Sequence, residues 1–364
     1  MKGKVLFLVN HDLVIYNFRK EIVQRLIQEN YEVYISSPNG KRIPELIEMG
    51  ADFIEANMDR HGKSILNELK LLDYYKKIIR EIQPDIIFGF TIKPNIWGAI
   101  AARKYNVPFV ANITGLGSAV ENPGFLQKIT VLLYKYSFSK IQTVFFQNKE
   151  NQQFFIDNKI AIGKHKLLPG SGVNLKQFTP LEYPNDDTIE FVFISRIMKE
   201  KGIDQYLETA KIIKEIYPNT HFHICGFCEE DYEDKLQEYE DRGIITYHGM
   251  VSDIRVVLKN THCTIHPTYY PEGLSNVLLE SSACARPIIT TDRSGCREVV
   301  NNGLNGYLFE EKKTDQLVET IEKFINLPHN DKIEMGIQGR KFVEDNFDRE
   351  IVVTRYLDEI ESEI

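Results

Sequence analysis

The chain has 364 residues, is 43% hydrophobic and 26% charged, and carries a formal net charge of −8. That composition excludes a disordered chain, and the length allows one large or two medium hydrophobic cores. No apolar run approaches the roughly 20 residues that span a bilayer, and an odd set of five cysteines, none in the first half, excludes a disulfide-built scaffold.

Residues 5–9 form an apolar run after Lys2 and Lys4. It is too short for the core of a signal peptide and reads as a buried first strand, so the chain is expected to stay in the cytoplasm. A helical pattern over 18–28 follows, then a strand at 31–36, a helix at 66–82 and a strand at 86–90. Next come a helix at 95–104, a strand at 108–113, a helix at 125–139 and a strand at 141–147. Such alternation predicts a parallel sheet with helices on both faces. Residues 157–187 are rich in Gly, Pro, Asn and Asp and read as a linker region. The rhythm restarts with a strand at 190–195, a helix at 203–217 and strands at 221–225, 244–248, 263–266 and 287–290. It closes on a helix at 349–364.

The expected fold class is therefore α/β, with two Rossmann-like, doubly wound domains facing a cleft. The first domain spans 1–178 and the second 179–348, and the helix at 349–364 is expected to pack back on the first. Ligands of such sheets bind beyond the carboxyl ends of the strands. Functional residues are thus expected in loops that end strands and start helices.

Charge is distributed unevenly. Residues 1–180 hold 24 basic and 16 acidic side chains, which gives +8, and the remaining 20 basic and 36 acidic side chains give −16. The first half would be drawn to an anionic surface and the second repelled from it. No dense basic run points to nucleic acid.

The segment Pro271-Glu272-Gly273-Leu274-Ser275-Asn276-Val277-Leu278-Leu279-Glu280 follows a predicted strand and opens a helix. Gly273 lets the backbone approach a ligand closely. The N–H groups of Leu274, Ser275 and Asn276 are expected to point at an anion. Glu280 lies eight residues after Glu272, a little over two helical turns, so both carboxylates are expected to face one cleft and accept from vicinal hydroxyls. Arg196 and Lys201, in the loop Ser195-Arg196-Ile197-Met198-Lys199-Glu200-Lys201-Gly202, offer two cations near a helix start, which suits a diphosphate.

Other features carry less. Gly115-x-Gly117 lacks the third glycine and the later acidic residue of a dinucleotide fingerprint, and is expected to form a tight loop near an acceptor. His221-x-His223-x-Cys225-x2-Cys228 places metal-type ligands on one face of a strand. Phe222 and Ile224 alternate with them as in an ordinary buried strand, and no second Cys pair follows, so no metal is expected. The helix at 125–139 is apolar and aromatic with Lys at its edges; it suits either a lipid interface or the core of a sheet.

Together these motifs resemble the retaining GT-B glycosyltransferases of family 4, and among them the bacterial enzymes that elongate lipid-linked glycans for capsule, O-antigen or protein glycosylation. The resemblance covers nearly the whole chain. It rests on Glu272-x7-Glu280, Ser195-Arg196-x4-Lys201-Gly202, Pro169-Gly170-Ser171-Gly172-Val173-Asn174-x3-Phe178, Thr114-Gly115-Leu116-Gly117, and Asn10-His11-Asp12-x6-Arg19.

The resemblance implies a transfer from a nucleotide sugar, a UDP-N-acetylhexosamine or UDP-hexose, to a polyprenyl-diphosphate-linked or polysaccharide acceptor. It implies no cofactor and no metal. Arg196 and Lys201 would neutralise the leaving diphosphate, Glu272 would bind hydroxyls of the transferred sugar, and Glu280 the ribose. Gly273, Leu274, Ser275 and Asn276 would line the donor, and the base would lie near Met250 and Val251. The acceptor side would draw on Asn10, His11, Asp12, Lys93, Asn95, Thr114, Gly115, Gly117 and Gly172, with peripheral contact to the inner face of the membrane through the basic first domain. For His11 and Asp12, loop capping is the competing role. Asn174 stands where many relatives have Asp, and the loop after residues 108–113 lacks the His that many carry. An epimerase or phosphorylase of related architecture, or a non-catalytic sugar-binding protein, is the alternative reading.

Overall fold

A computed structural model describes residues 2–58, 64–117, 120 and 124–364. The chain divides into two compact units. The first comprises Met1–Gly172, Pro271–Leu274 and Arg349–Ile364, and the second Val173–Tyr270 and Ser275–Asp348.

The first unit runs β1 (Gly3–Leu8), α1 (Asp12–Tyr16), α2 (Lys20–Gln28), β2 (Tyr31–Ser37), α3 (Ile43–Glu48), β3 (Asp52–Glu55), α4 (Ile65–Ile82) and β4 (Ile86–Phe90). It continues through α5 (Ile92–Tyr105), β5 (Phe109–Ile113), α6 (Phe125–Ser137), β6 (Thr143–Phe146), α7 (Lys149–Asp157) and β7 (His165–Leu167). Its seven strands are parallel, in the order β3-β2-β1-β4-β5-β6-β7.

The second unit runs β8 (Ile189–Ile194), α8 (Ile203–Ile216), β9 (Thr220–Cys225), α9 (Glu233–Asp241), β10 (Ile245–Tyr247), α10 (Arg255–Leu258) and β11 (Cys263–His266). It ends with α11 (Asn276–Ala283), β12 (Ile288–Thr291), β13 (Gly306–Phe309), α12 (Thr314–Ile325) and α13 (His329–Asn346). Its six strands are also parallel, in the order β10-β9-β8-β11-β12-β13. The last helix, α14 (Arg349–Glu361), belongs to the first unit.

Both sheets are parallel α/β sheets, as the sequence rhythm predicts. Strands buried on two faces read as continuous apolar runs, and β1 shows why. Val5 and Phe7 join one core, and Leu6 and Leu8 the other. The first of these cores is closed by α14: Val352, Val353, Tyr356, Leu357 and Ile360 pack with Phe7, Phe88, Phe90 and Phe145. The Tyr356 ring lies 5.0 Å from that of Phe88, its hydroxyl accepts from Arg19 Nε at 3.1 Å, and it donates to Asn112 Oδ1.

Three stretches differ from the sequence expectation. The helix read at 18–28 is α2, which starts two residues later at Lys20, and a separate short helix, α1, precedes it at Asp12–Tyr16. The stretch 157–187 is not all linker, because β7 pairs with β6 through Val144↔His165 and Phe146↔Leu167. A three-residue strand of His, Lys and Leu, half-exposed at a sheet edge, has too little alternation to be visible. Finally, α5 begins at Ile92, so Lys93 and Asn95 lie in its first turn rather than in a loop before it.

In each sheet the strand order reverses once, between β1 and β4 and between β8 and β11. Chains leave the carboxyl ends of such neighbours in opposite directions and open a crevice. In the second unit the loops that flank it begin at Ser195 and Pro267.

Candidate functional site

The loops after β8 and β11 are locked to one another. Gly202 heads α8 with φ +81, and a Cβ there would lie 2.1 Å from the Pro267 carbonyl oxygen, so no side chain fits. Glu200 O accepts from Tyr269 N at 2.9 Å and from Thr268 Oγ1 at 3.3 Å. This brings both predicted cations to one aromatic ring. Arg196 Cζ lies 5.3 Å from the Tyr270 centroid, and Lys201 Nζ lies 4.6 Å from it.

Two like charges on one ring repel each other, and Lys201 is only 7% exposed. The ring offers each cation partial compensation, and an anion bound there would offer more. Arg196 also pairs with Glu229 Oε2 at 2.8 Å. Burial works against its charge, but Glu229 and Tyr270 together hold its pKa above the ordinary value. A third cation adjoins: Arg293 Nε donates to Tyr270 O at 3.1 Å, and its Nη1 meets Glu311 Oε1 at 2.9 Å. Tyr270, Arg293 and Glu229 were not legible as site residues. An aromatic residue in a proline-flanked loop carries no spacing signal, and Arg293 lies far along the chain.

Helix α11 starts at Asn276, with Ser275 as its N-cap. Glu280 is therefore in its second turn and half-buried, whereas Glu272 lies outside the helix in the preceding loop. The eight-residue spacing thus does not correspond to two helical turns, which corrects the sequence reading. A second correction concerns the anion-facing N–H groups. The Ser275 N–H donates to Gly295 O at 2.7 Å, so the loop after β12 takes the donor assigned to a ligand. Met250 is 70% exposed and Val251 half-buried; both follow Gly249, whose carbonyl accepts from Gly226 N at 2.8 Å.

Within the first unit, the segment Pro271–Leu274 packs on the ends of β5 and β6. A Cβ on Gly273 would lie 2.4 Å from Thr114 O and 2.2 Å from Gln147 Oε1. The glycine is demanded here by another stretch of chain, and not only by a ligand. Asn148 Nδ2 donates to Gly273 O at 2.6 Å and to Glu272 O at 3.2 Å. The backbone that carries Glu272 is thus held from a buried side chain that also caps α7, through Asn151 N to Asn148 Oδ1 at 2.8 Å. Thr114, Gly115 and Gly273 are brought together, and Gln147 and Asn148 join them. The polar Gln147-Asn148 pair directly after an apolar strand was the signal that could have found them.

The other candidates in the first unit divide by role. Asp12 is 2% exposed, accepts from Leu13 N at 2.9 Å and Arg42 N at 2.8 Å, and so ties two loops together. His11 caps α1 and keeps 39% of its side chain exposed. Asn10 is half-buried beside it. Asn95 is corrected: it is 1% exposed and donates to Asn112 O at 2.9 Å, bracing the sheet rather than facing an acceptor, because it falls on the buried side of α5. Lys93 pairs with Glu68 Oε1 at 2.7 Å. Gly117 has φ +70 in the loop after β5. Gly172 O accepts from Arg349 Nη2 at 3.0 Å and so anchors the start of α14. In the second unit, Asn174 Oδ1 accepts from Lys176 N at 3.1 Å and Gln177 N at 3.0 Å, a turn-forming role that an aspartate would also fill.

The family model described as "Glycosyl transferases group 1" matches residues 180–342, and that described as "Glycosyl transferase 4-like" matches residues 4–148. The chain belongs to this glycosyltransferase family. It is 26% identical to the N,N'-diacetylbacillosaminyl-diphospho-undecaprenol alpha-1,3-N-acetylgalactosaminyltransferase of Campylobacter jejuni, covering 96% of each chain. It is also 26% identical to the capsular polysaccharide biosynthesis glycosyltransferase CapM of Staphylococcus aureus, covering 91% of this chain and 90% of that protein. Among solved structures, Anabaena HepE in complex with UDP-glucose shares the fold, with a TM-score of 0.81 at 18% identity and full coverage of both chains. The glycosyltransferase has two parallel-sheet α/β units of the GT-B kind. Among the described residues, no helix is long and apolar enough to cross a membrane.

Proposed function

We propose that this glycosyltransferase takes a sugar from a UDP-sugar, a UDP-N-acetylhexosamine or UDP-hexose, and adds it with retention to a polyprenyl-diphosphate-linked glycan. The observation that carries the donor half is the meeting of Arg196 and Lys201 on the Tyr270 ring at the strand-order reversal of the second sheet. The UDP-glucose in the HepE complex and the diphospho-undecaprenol acceptor in the Campylobacter enzyme's name support it.

Arg196 and Lys201 neutralise the departing diphosphate, so the step needs no metal or other cofactor. Glu280 takes the ribose hydroxyls, and Glu272 the hydroxyls of the transferred sugar. Asn148 steadies the Glu272 backbone. The acceptor hydroxyl attacks from the face that the diphosphate leaves, and a donor phosphate oxygen takes its proton. Met250 and Val251 contact the base, and the first unit presents the acceptor.

An anionic membrane surface is the partner we assign to α6. Phe125, Leu126, Ile129, Leu132 and Tyr136 are exposed on it, whereas Thr130, Val131, Tyr134 and Ser137 face the core. Lys76, Arg103, Lys104 and Lys140 line a hollow of about 670 Å³ beside Tyr136. An apolar helix face bordered by cations suits a lipid interface.

The test pairs binding with turnover. UDP-sugars at about 100 times their dissociation constant should stabilise the protein by roughly 2.7 kcal/mol. UDP release should then require a lipid-diphosphate glycan. Arg196→Ala should lower kcat by about 10²- to 10³-fold, the cost of removing one donor to a developing charge. Stabilisation by no UDP-sugar, or UDP release independent of acceptor, would overturn the proposal.

A further inference from the structure

The second unit holds a side-chain cluster that sugar transfer does not use. Strands β10, β9 and β8 pair in parallel, with Glu190 opposite His221, Val192 opposite His223, and Thr246 opposite His223 on the other side. Phe222 and Ile224 are buried in the core with Phe191 and Phe193. Successive strand residues point to opposite faces, so His221 and His223 emerge together on the other face, with Glu190 beside them. The ligand atoms of the three lie within 4.8 Å of one another. His223 Nε2 is 2.6 Å from Glu190 Oε2, and the two side chains are 16% and 23% exposed, so an ion can reach them.

We propose that Glu190, His221 and His223 form a binding site for a divalent transition metal of the zinc class, which staples β8 to β9. Two imidazoles and a carboxylate are a donor set that such ions prefer. Metal–ligand bonds of about 2.0–2.1 Å in a tetrahedron put ligand atoms roughly 3.4 Å apart. The 2.6 Å contact and the 4.8 Å limit bracket that spacing, so small rotamer shifts are enough. On entry the ion takes the place of the direct contact between Glu190 Oε2 and His223 Nε2.

The surroundings suit metal-binding imidazoles. A ligating histidine usually has its other nitrogen held by an outer partner that sets the ring's orientation. His223 Nδ1 lies 2.9 Å from His248 Nε2, and His221 Nε2 lies 2.8 Å from Thr246 Oγ1. Burial and the neighbouring His223 hold His221 below its ordinary pKa, and the same two causes act on His248.

Position separates this site from transfer. Glu190 is four residues before Ile194, the end of β8, and so roughly 13 Å upstream of the Arg196 loop at about 3.3 Å per residue. His248 nevertheless adjoins Gly249, whose carbonyl anchors Gly226. The ion would thus stiffen the strand ends next to Met250 without touching the donor.

The experiment uses the full chain without a polyhistidine tag, stripped with a chelator. Co²⁺ is titrated and read by visible d–d absorption, and Zn²⁺ by competition with a chromophoric chelator. One equivalent per chain is expected, with a tetrahedral cobalt spectrum and a rise in Tm on adding Zn²⁺. His223→Ala and Glu190→Gln should abolish the spectrum, whereas Cys228→Ser should keep it. The thermal shift with UDP reports whether each variant is folded, and His221→Gln serves in place of any that is not. A parent protein that takes up cobalt or zinc no better than the folded variants overturns the proposal.

Discussion

Tyr270 shows how a single side chain organises the loops after β8 and β11. It collects Arg196 and Lys201 on its ring, and its carbonyl holds Arg293. Each cation–ring contact is worth roughly 0.5–2 kcal/mol. Tyr270→Leu should therefore raise the donor KM by about 2- to 30-fold, the conversion of that range, while the protein stays folded. An unchanged KM would mean that the cations are positioned by the backbone alone. That the two cations lie close together was readable, because both stand in one short strand-to-helix loop. The ring was not, since nothing in the chain marks which aromatic the loops will meet. Glu272 was picked out for its spacing to Glu280, but the helix starts four residues after it, so the spacing argument fails even though the residue remains a candidate.

Asp186 makes a separate prediction about pH. Burial raises its pKa, but hydrogen bonds from Lys332 Nζ at 2.7 Å and from His329 Nδ1 at 2.6 Å outweigh burial and leave it below the ordinary aspartate value. A depressed folded pKa contributes stability above the unfolded value of about 3.9, and that contribution is lost as pH falls through the lower folded value. Asp186→Asn also leaves the Lys332 ammonium, 2% exposed, without its carboxylate. The variant should be destabilised by roughly 1–3 kcal/mol at pH 7. Urea midpoints should converge with those of the parent below about pH 4.

At the scale of elements, α14 decides whether the first unit folds. It contributes five buried apolar side chains, from Val352 to Ile360, to one face of the sheet. At about 1.5–3 kcal/mol each, their burial amounts to roughly 10 kcal/mol, comparable to the whole stability of a typical domain. Deleting residues 349–364 should leave a chain without a cooperative transition in the near-UV circular dichroism, whereas deleting 362–364 should be tolerated. Strand β4 was legible to the residue because it is a short apolar run bounded by Asp85 and Thr91, and β11 was legible because Pro267 ends it directly. Elements that depend on tertiary partners were not. β7 exists because β6 offers it a ladder, and β13 begins at a glycine whose Cβ would meet Ile288 O at 2.2 Å, a constraint set by β12. The helix at 125–137 posed the opposite difficulty. Its composition suited either core or lipid, and only the fold tells which residues of the stripe are covered.

At the scale of the whole molecule, charge and apolar surface point to the same partner. Residues 1–180 carry +8, and α6 in that half leaves Phe125 at 81% and Leu132 at 64% exposure. A basic residue near an anionic bilayer contributes about 1 kcal/mol, and this part is screened by salt. Burying Phe125 and Leu132 in the interface contributes roughly 1.5–3 kcal/mol each when insertion is complete, and salt leaves that part intact. The two contributions can therefore be separated by co-sedimentation with vesicles. The protein should bind phosphatidylglycerol-containing vesicles strongly and phosphatidylcholine vesicles weakly. In 1 M salt, where the screening length is about 3 Å, only the apolar part should remain. Phe125→Ser with Leu132→Ser should abolish that residual binding, while Lys76→Glu with Lys104→Glu should remove the salt-sensitive part and spare the rest. Equal binding to both vesicle types would show that the charge asymmetry plays no part in docking, and binding to neither would exclude α6 as a lipid contact.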